Sequence, residues 1–572
     1  MTSLRTAKRF VFPLVGLWVL LYASFSMVRP PLLDGPDALS AEIAREIATG
    51  QHWVVPTLNG VPIPQNPPLL SWSMAVSFAL FGGVSDWAAR IPVILATLVI
   101  FIAVFSLGRR LFHSPAAGFY AALALMTSYG VFLFGHLLLR DVFLCLWTTL
   151  AINFFWRSLS QQRHLWASSL GFAASCGLGI LSAGVAGVLF PLAIAILYLL
   201  WTRNLKHLLR WHPIPAVLLF LVIVLPWHFA VRLATSHAYP GSLLPPMAGG
   251  RVPLLIFWPL LLLWTVPWCA FSLRALRIGT SPQPELRRQA RFLCVLWIVV
   301  VLVFYSFFAR QEFNVLCALP PMSLLAGGWL AEDEDLPHHQ GRIAAWILFF
   351  AGMAAAAVVA YFLVTSPAPA PGADIATLLR PNPGHHPVFF AYLLDLTHAA
   401  MGAFRVPLAI TLAALVVGVS ACLWYRLRDN ARMANCFLAG MMVAILIAAH
   451  LALNTFSPVL SSAILAEAIK PEVHAEDAVV VNGPFEGASS LAFYLEHKVL
   501  LLTPAEPPPG SVSPDIFVDE AALAKLWNGP GRTWLWTTPE TMPHVPGAVY
   551  LIGRSGGKEM MSNQPNSGGA TF

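Results

Sequence analysis

Side chains able to do chemistry are scarce in this chain and fall into four groups separated by long apolar runs. Asp34 and Asp37 open a polar stretch, Arg29 to Pro68. His136, Arg140 and Asp141 follow, then His237, Tyr239 and Arg251, and finally Arg310, Gln311 and Glu312. A carboxylate held near a membrane face can act as a base, and a guanidinium can grip an anion through paired N–H donors. Each residue also has a plainer use. Asp37 precedes ALSAEIAREI, whose Leu39, Ile43 and Ile47 recur every four residues, so it could cap that helix. Asp141 could pair with Arg140 at a surface, and Arg251 and Arg310 could anchor in headgroups. The four groups gain meaning only if one surface gathers them.

The elements that must do so are membrane helices. Of 572 residues, 58% are hydrophobic and 11% charged, with a mean hydropathy of +0.70. Soluble domains are about one quarter charged. Apolar windows long enough to cross the hydrocarbon core occur near residues 10–28, 88–108, 115–135, 142–158, 165–182, 184–202, 213–231, 253–273, 292–308, 314–330, 343–364, 404–425 and 435–454. These predict about 13 transmembrane helices. Residues 69–83 are apolar but short and read as a membrane-surface or re-entrant helix. The run after MTSLRTAKRF ends without a small-residue cleavage pattern, which reads as an uncleaved anchor.

With the N-terminus inside, 19 Lys and Arg fall in inside loops, against nine outside up to the last window. By the positive-inside rule the N-terminus is cytoplasmic, and the 29–87 loop and the C-terminal part lie outside. All four polar groups then share the outer face. The net charge of +7 does not indicate nucleic acid, because the basic residues alternate between loops.

Beyond residue 454 the composition turns soluble. AVVVN (478–482), KVLLL (498–502), TWLWT (533–537) and AVYLI (548–552) read as strands, with helices near 487–495 and 519–527. The fold class expected is an all-α polytopic membrane protein with a small C-terminal α/β domain. The boundaries are 1–454 for the membrane domain, 455–554 for the α/β domain and 555–572 for a disordered tail rich in Gly, Ser and Asn. The seven cysteines lie in or beside apolar segments without ligand or disulfide spacing, and read as small core residues.

The first loop carries a resemblance. Ala41–Ile47, His52-Trp53, Pro56–Gly60 and Pro67–Trp72, then WAARIP, resemble the first loop of the lipid-phosphate-sugar-dependent membrane glycosyltransferases of the C-type (GT-C) fold. That family includes the 4-amino-4-deoxy-L-arabinose lipid A transferases and, more distantly, the protein O-mannosyltransferases. The resemblance continues through LLLRDVFL, Pro226-Trp227, Pro267-Trp268 and FYSFFARQEFNVLCALPP, and into PVLSSAILAEAI and SSLAFYLEHKVLLL. It implies the GT-C fold in the bacterial cytoplasmic (inner) membrane, with active site and C-terminal domain periplasmic.

The resemblance further implies inverting transfer of a sugar from an undecaprenyl-phosphate type donor to a lipid A-like or other envelope acceptor, a glycolipid, glycan or protein. Asp37 would be the general base, Asp141 a second catalytic carboxylate, and Arg251 and Arg310 the donor-phosphate partners. Asp34, Glu42, Arg45, Gln65, Asn66, His136, Arg140, His237, Tyr239, Glu312 and Asn314 are candidate substrate-binding residues. No cofactor is expected. No ligand cluster demands a metal ion, and the use of a divalent ion at the phosphate is left open.

The chain departs from the family pattern at several positions. Pro36-Asp37 stand for an Asp-Glu pair, Gln65-Asn66 for Glu-Lys, Ala183 for a Lys, Asn314 for a Tyr, and Arg310 for a Lys. Alternative readings are a catalytically impaired member that binds lipid-linked sugar, and a lipid-sugar transporter or flippase.

Overall fold

The computed structural model describes residues 2–28, 30–160, 165–235, 252–275, 285–308, 310–335, 341–370, 374–379, 395–502 and 516–566. Among them, ten helices are long and apolar enough to cross a membrane, from Phe10–Met27 to Ala431–Leu460. The other three expected windows form shorter apolar helices. Residues 115–135 fold as Pro115–Met126 and Tyr129–Phe134, residues 184–202 as Ala186–Trp201, and residues 253–273 as Leu254–Trp264 and Cys269–Ala275. The last helix runs to Leu460, past the expected boundary at 454.

Two helices face lipid along most of their length. Pro213–Ala234 and Arg342–Thr365 have only 11% of their apolar windows buried, against 100% for Glu312–Glu334 at the centre. An apolar helix is stable exposed only where its surroundings are apolar too, so the outer helices mark the lipid-facing rim.

At the far end of the central helix Leu319–Asp335, three consecutive acids are each taken by a different element. Glu332 pairs with Arg291 at 2.8 Å, Asp333 with the fully buried Arg426, and Glu334 with the Tyr120 hydroxyl. Buried charges need partners of this kind.

The first loop begins with the surface helix Pro36–Gly50, closed by Gln51 in the left-handed conformation. Its buried side combines Ala38, Ala41 and Ala44 with Ile43 and Ile47, while Leu39 is half-buried. Next comes a two-residue hairpin, β1 (Thr57–Leu58) and β2 (Val61–Pro62), turned by Asn59 and Gly60 at φ 53° and 76°. Asn-Gly suits this turn because both positions need positive φ. The expected short helix forms as Leu69–Leu80 and packs on the surface helix.

The C-terminal domain is a six-stranded sheet in the order β5-β4-β3-β6-β8-β7. Its strands are β3 (Ala478–Val481), β4 (Val499–Leu502), β5 (Phe517–Val518), β6 (Thr533–Thr537), β7 (Tyr550–Ser555) and β8 (Lys558–Ser562). β3 runs parallel to β4 and β6, and the β7–β8 hairpin joins antiparallel through β8. Side chains alternate between faces, as a pleated strand requires. Val479, Val481, Trp534 and Trp536 pack with Leu491 and Leu495, while Val480 and Leu535 pack with Leu523 and Trp527.

The tail expected from residue 555 is corrected by this sheet. Residues 558–562 form β8, an inner strand whose Met560 is fully buried, and residues 567–572 lie outside the described residues. The Gly-rich composition that suggested disorder is the turn. Gly556 and Gly557, at φ 62° and 75°, make the two-residue hairpin connection for which glycine is suited.

Candidate active site

Asp37 sits in the first turn of the surface helix, where Gly35, not Asp37, is the cap. The capping role read from sequence is therefore not the one it plays. Its Oδ2 accepts the N–H of Leu33 and its Oδ1 the N–H of Leu138, both at 2.9 Å, and the residue is 1% exposed. Burial pushes the carboxyl up. The Arg90 guanidinium and the two N–H donors pull it back, and burial prevails. The result is a carboxyl that holds its proton above the ordinary aspartate range.

Arg90 went unnoticed as a site residue in the sequence, because WAARIP looks like the start of a membrane helix. It is buried and donates to the carbonyls of Pro30 (2.9 Å) and Ser26 (3.4 Å), while its Nε–H has no partner among the described residues. Asp37, Arg90, His136 and His450 line one cleft of about 30 Å³, close to the volume of one water molecule.

His136 is packed. Its Nδ1 lies 2.5 Å from the carbonyl of Phe132 and its Nε2 3.0 Å from that of Leu21, and its ring stacks on Tyr22. A neutral imidazole has one N–H, so it can donate to only one of the two carbonyls at a time. Burial outweighs both carbonyls and pushes it down to about 4.

Asp141 opens the helix Arg140–Ser160 and is buried, while Arg140 is exposed, so they are not the surface pair that adjacency suggested. Asp141 Oδ1 accepts the side-chain N–H of Asn314 at 3.1 Å. Asn314 Oδ1 in turn accepts the Gln311 N–H at 2.8 Å, within the capping box of the 3₁₀ helix Glu312–Ala318. Glu312 is buried in that same turn. Asp37 and Asp141 are thus tied to one short segment, Leu138 to Asp141, four residues whose ends are at most about 11 Å apart.

The remaining candidates divide. Arg310 donates to the carbonyls of Val252 (2.9 Å) and Ser306 (3.0 Å) and so ties a loop to a helix end. Glu42 and Arg45 form a two-pronged ion pair at 2.7 and 2.8 Å inside the surface helix. Burial raises Glu42, and Arg45 opposes it. Gln65 is exposed and Asn66 half-buried. His237, Tyr239 and Arg251 lie outside the described residues.

Asp34 is not turned toward a substrate space. It pairs with Lys558 of β8 at 2.7 Å and accepts from Ser490 and Ser462. Lys558 was invisible to sequence reasoning because it fell in the expected tail.

A cavity of about 720 Å³ lies elsewhere on this face. It is lined by Arg45, Glu46, His52, Asn59, Thr235 and Lys498. Arg45 is eight residues along the helix from Asp37, or about 12 Å, so the cavity and the Asp37 cleft are separate spaces. Asn59 builds one wall, its amide exchanging two hydrogen bonds with the Val499 backbone at 2.8 and 2.9 Å. A space of this size suits a small ligand or a sugar headgroup. Among the described residues no three His, Cys, Asp or Glu side chains come together as a metal site.

Residues 65–229 match the family model described as dolichyl-phosphate-mannose-protein mannosyltransferase. The chain is 26% identical over 381 residues to an undecaprenyl phosphate-alpha-4-amino-4-deoxy-L-arabinose arabinosyl transferase of Pseudomonas fluorescens, covering 63% of each chain. It is 29% identical over 308 residues to such a transferase of Pseudomonas aeruginosa, covering 51% of this chain and 54% of that one. The matched part is thus under two thirds of the length of these relatives. In structure it is similar to ArnT from Cupriavidus metallidurans bound to undecaprenyl phosphate, with TM-score 0.77, 21% identity and 97% of each chain covered. The apo form of that protein matches equally, with TM-score 0.77 and 99% of each chain covered. The chain has the GT-C fold, joined to a small C-terminal sheet domain.

Proposed function

We propose that this GT-C-fold chain is an integral-membrane glycosyltransferase, moving a sugar from a polyprenyl-phosphate donor to an envelope acceptor. The observation that carries this reading is the buried Asp37 carboxylate beside Arg90, at the head of a surface helix in a chain that follows the ArnT fold throughout. Each Asp37 oxygen accepts one backbone N–H and keeps a second lone pair, so the carboxylate can still take a proton. In the reaction, an acceptor oxygen attacks the anomeric carbon, the bond to the phosphate oxygen breaks, and the polyprenyl phosphate departs. Asp37 takes the acceptor's proton, attack from the opposite side inverts the anomeric centre, and Asp141 orients the acceptor. Arg251 and Arg310 are the phosphate partners in this reading. The charge bias of the loops supports a cytoplasmic N-terminus, with this face in the periplasm of a bacterial inner membrane.

A second reading is a protein that binds a lipid-linked sugar without transferring it. It is favoured by the tight cleft at Asp37, by the engagement of Arg310 with two carbonyls, and by Asn66 and Ala183 where the family has lysines. Purified protein in liposomes with labelled undecaprenyl-phosphate sugar separates the readings. Transfer abolished by Asp37→Asn supports the enzyme. Tight binding without transfer supports the binder, and movement of the label across the bilayer without transfer makes the protein a flippase.

A further inference from the structure

Three of the four residues that lead into the surface helix, Leu32, Asp34 and Gly35, bond to the C-terminal domain. The Asp34 N–H donates to the carbonyl of Leu460, at the end of the last membrane helix (2.7 Å). Leu32 N–H donates to the Tyr494 hydroxyl at 2.8 Å, and Gly35 N–H donates to the Glu486 carbonyl (2.8 Å) and to Ser489 Oγ (2.9 Å). Asp34 receives the densest set of bonds. Its Oδ1 accepts from the N–H (2.8 Å) and hydroxyl (2.6 Å) of Ser490, and its Oδ2 from Lys558 Nζ (2.7 Å) and Ser462 Oγ (3.2 Å). Both charged side chains are about nine-tenths buried. Asp37 lies three residues on, across the cap Gly35, and the Leu33 N–H donates to its Oδ2, so a shift of Asp34 is passed to it over a span of at most about 11 Å.

Lys558 reaches Asp34 because of its hairpin. It follows the Gly556-Gly557 turn, and a Cβ placed on Gly556 would sit 1.9 Å from the carbonyl oxygen of Pro458, in the last membrane helix. The turn is thus wedged against the membrane domain while the next residue grips the loop.

We propose that Lys558 is a positioning residue: through Asp34 it sets the start of the surface helix and thereby the placement of Asp37. This rests on the transferase reading above. Lys558 touches no reacting atom in it. A buried ion pair suits this task, since its directional bonds fix geometry in a way apolar packing does not.

The test uses the full chain in vesicles of phosphatidylethanolamine and phosphatidylglycerol, with labelled undecaprenyl-phosphate sugar as donor and lipid A as acceptor. Lys558→Met is expected to lower kcat about ten-fold or more with donor KM nearly unchanged, the signature of a displaced reacting group. Lys558→Arg, which keeps the charge, is expected to retain most of the rate. Asp34→Asn approaches the pair from the other side, leaves the sheet intact and should reproduce the loss. Hydrogen exchange of the same samples supplies a readout independent of activity. Amides of residues 37–45 should exchange about ten-fold faster in Lys558→Met, while those of β3 and β6 stay protected. Unchanged exchange at 37–45, or an equal kcat loss in Lys558→Arg, overturns the proposal. If the unmutated protein transfers no sugar, the transferase reading fails and exchange alone decides whether Lys558 sets the helix.

Discussion

The Oδ1 of Asp37 accepts the backbone N–H of Leu138 at 2.9 Å, so the acid that heads the first-loop helix is tied to the segment that ends at Asp141. Asp37→Asn should therefore do two things. It removes the proton acceptor, and it can turn an NH₂ toward an N–H that needs an acceptor. Transfer should be abolished, and stability should fall by about 1–3 kcal/mol, the cost of an unsatisfied buried donor. Sugar transfer and thermal unfolding in the same detergent check both.

The pH dependence follows from the direction in which Asp37 is moved. Its folded pKa is raised, so as pH falls the folded protein takes up this proton before the unfolded chain does. Protonation at Asp37 thus favours the folded state, and that contribution is lost as pH rises from the unfolded to the folded pKa. Activity runs the opposite way, since a base must be ionised. The acidic limb of kcat/KM is expected above the ordinary aspartate value of about 4. Arg90→Gln, which removes the nearest opposing cation, should move that limb to still higher pH. A limb at an unshifted position, insensitive to Arg90, would count against Asp37 as the base.

Asn314 stands between Asp141 and Gln311, donating to one and accepting from the other. Asn314→Ala leaves a buried carboxylate short of a donor and should cost about 1–3 kcal/mol. If Asp141 orients the acceptor, acceptor KM should rise while donor KM holds. Asn314→Asp sets two carboxylates together and should be worse on both counts.

The ion pair of Arg426 with Asp333 lies at the other end of the membrane domain. Asp333 is 14 residues past Leu319, or about 21 Å along its helix. Arg426→Met leaves Asp333 buried without this cation and should cost about 3–5 kcal/mol. Donor KM of the protein that remains folded should not change, which a binding titration after thermal selection can check.

Much of the architecture was legible because its cause is local. Ten of the 13 apolar windows are helices long enough to cross a bilayer, since the length of an apolar run is itself that condition, and the other three form shorter apolar helices. The four strands read from 478–502 and 533–552 form, since a short run of β-branched, apolar and aromatic residues is visible within a few positions. Asp37 and Asp141 stood out because a carboxylate among so many apolar residues needs a reason.

Tertiary structure decided the rest, because it depends on groups that meet across long loops. Arg310 looks like a free cation in sequence, and only the fold supplies the carbonyls of Val252 and Ser306 that occupy it. Arg90 looks like the start of a membrane helix until it is found beside Asp37. Lys558 sits in a stretch whose glycines suggest disorder, yet its partner Asp34 is 524 positions away. No local period encodes that distance. Pairing of this kind is set by where closed loops bring buried charges together, and a buried charge is held only where the whole fold has provided its counter-ion.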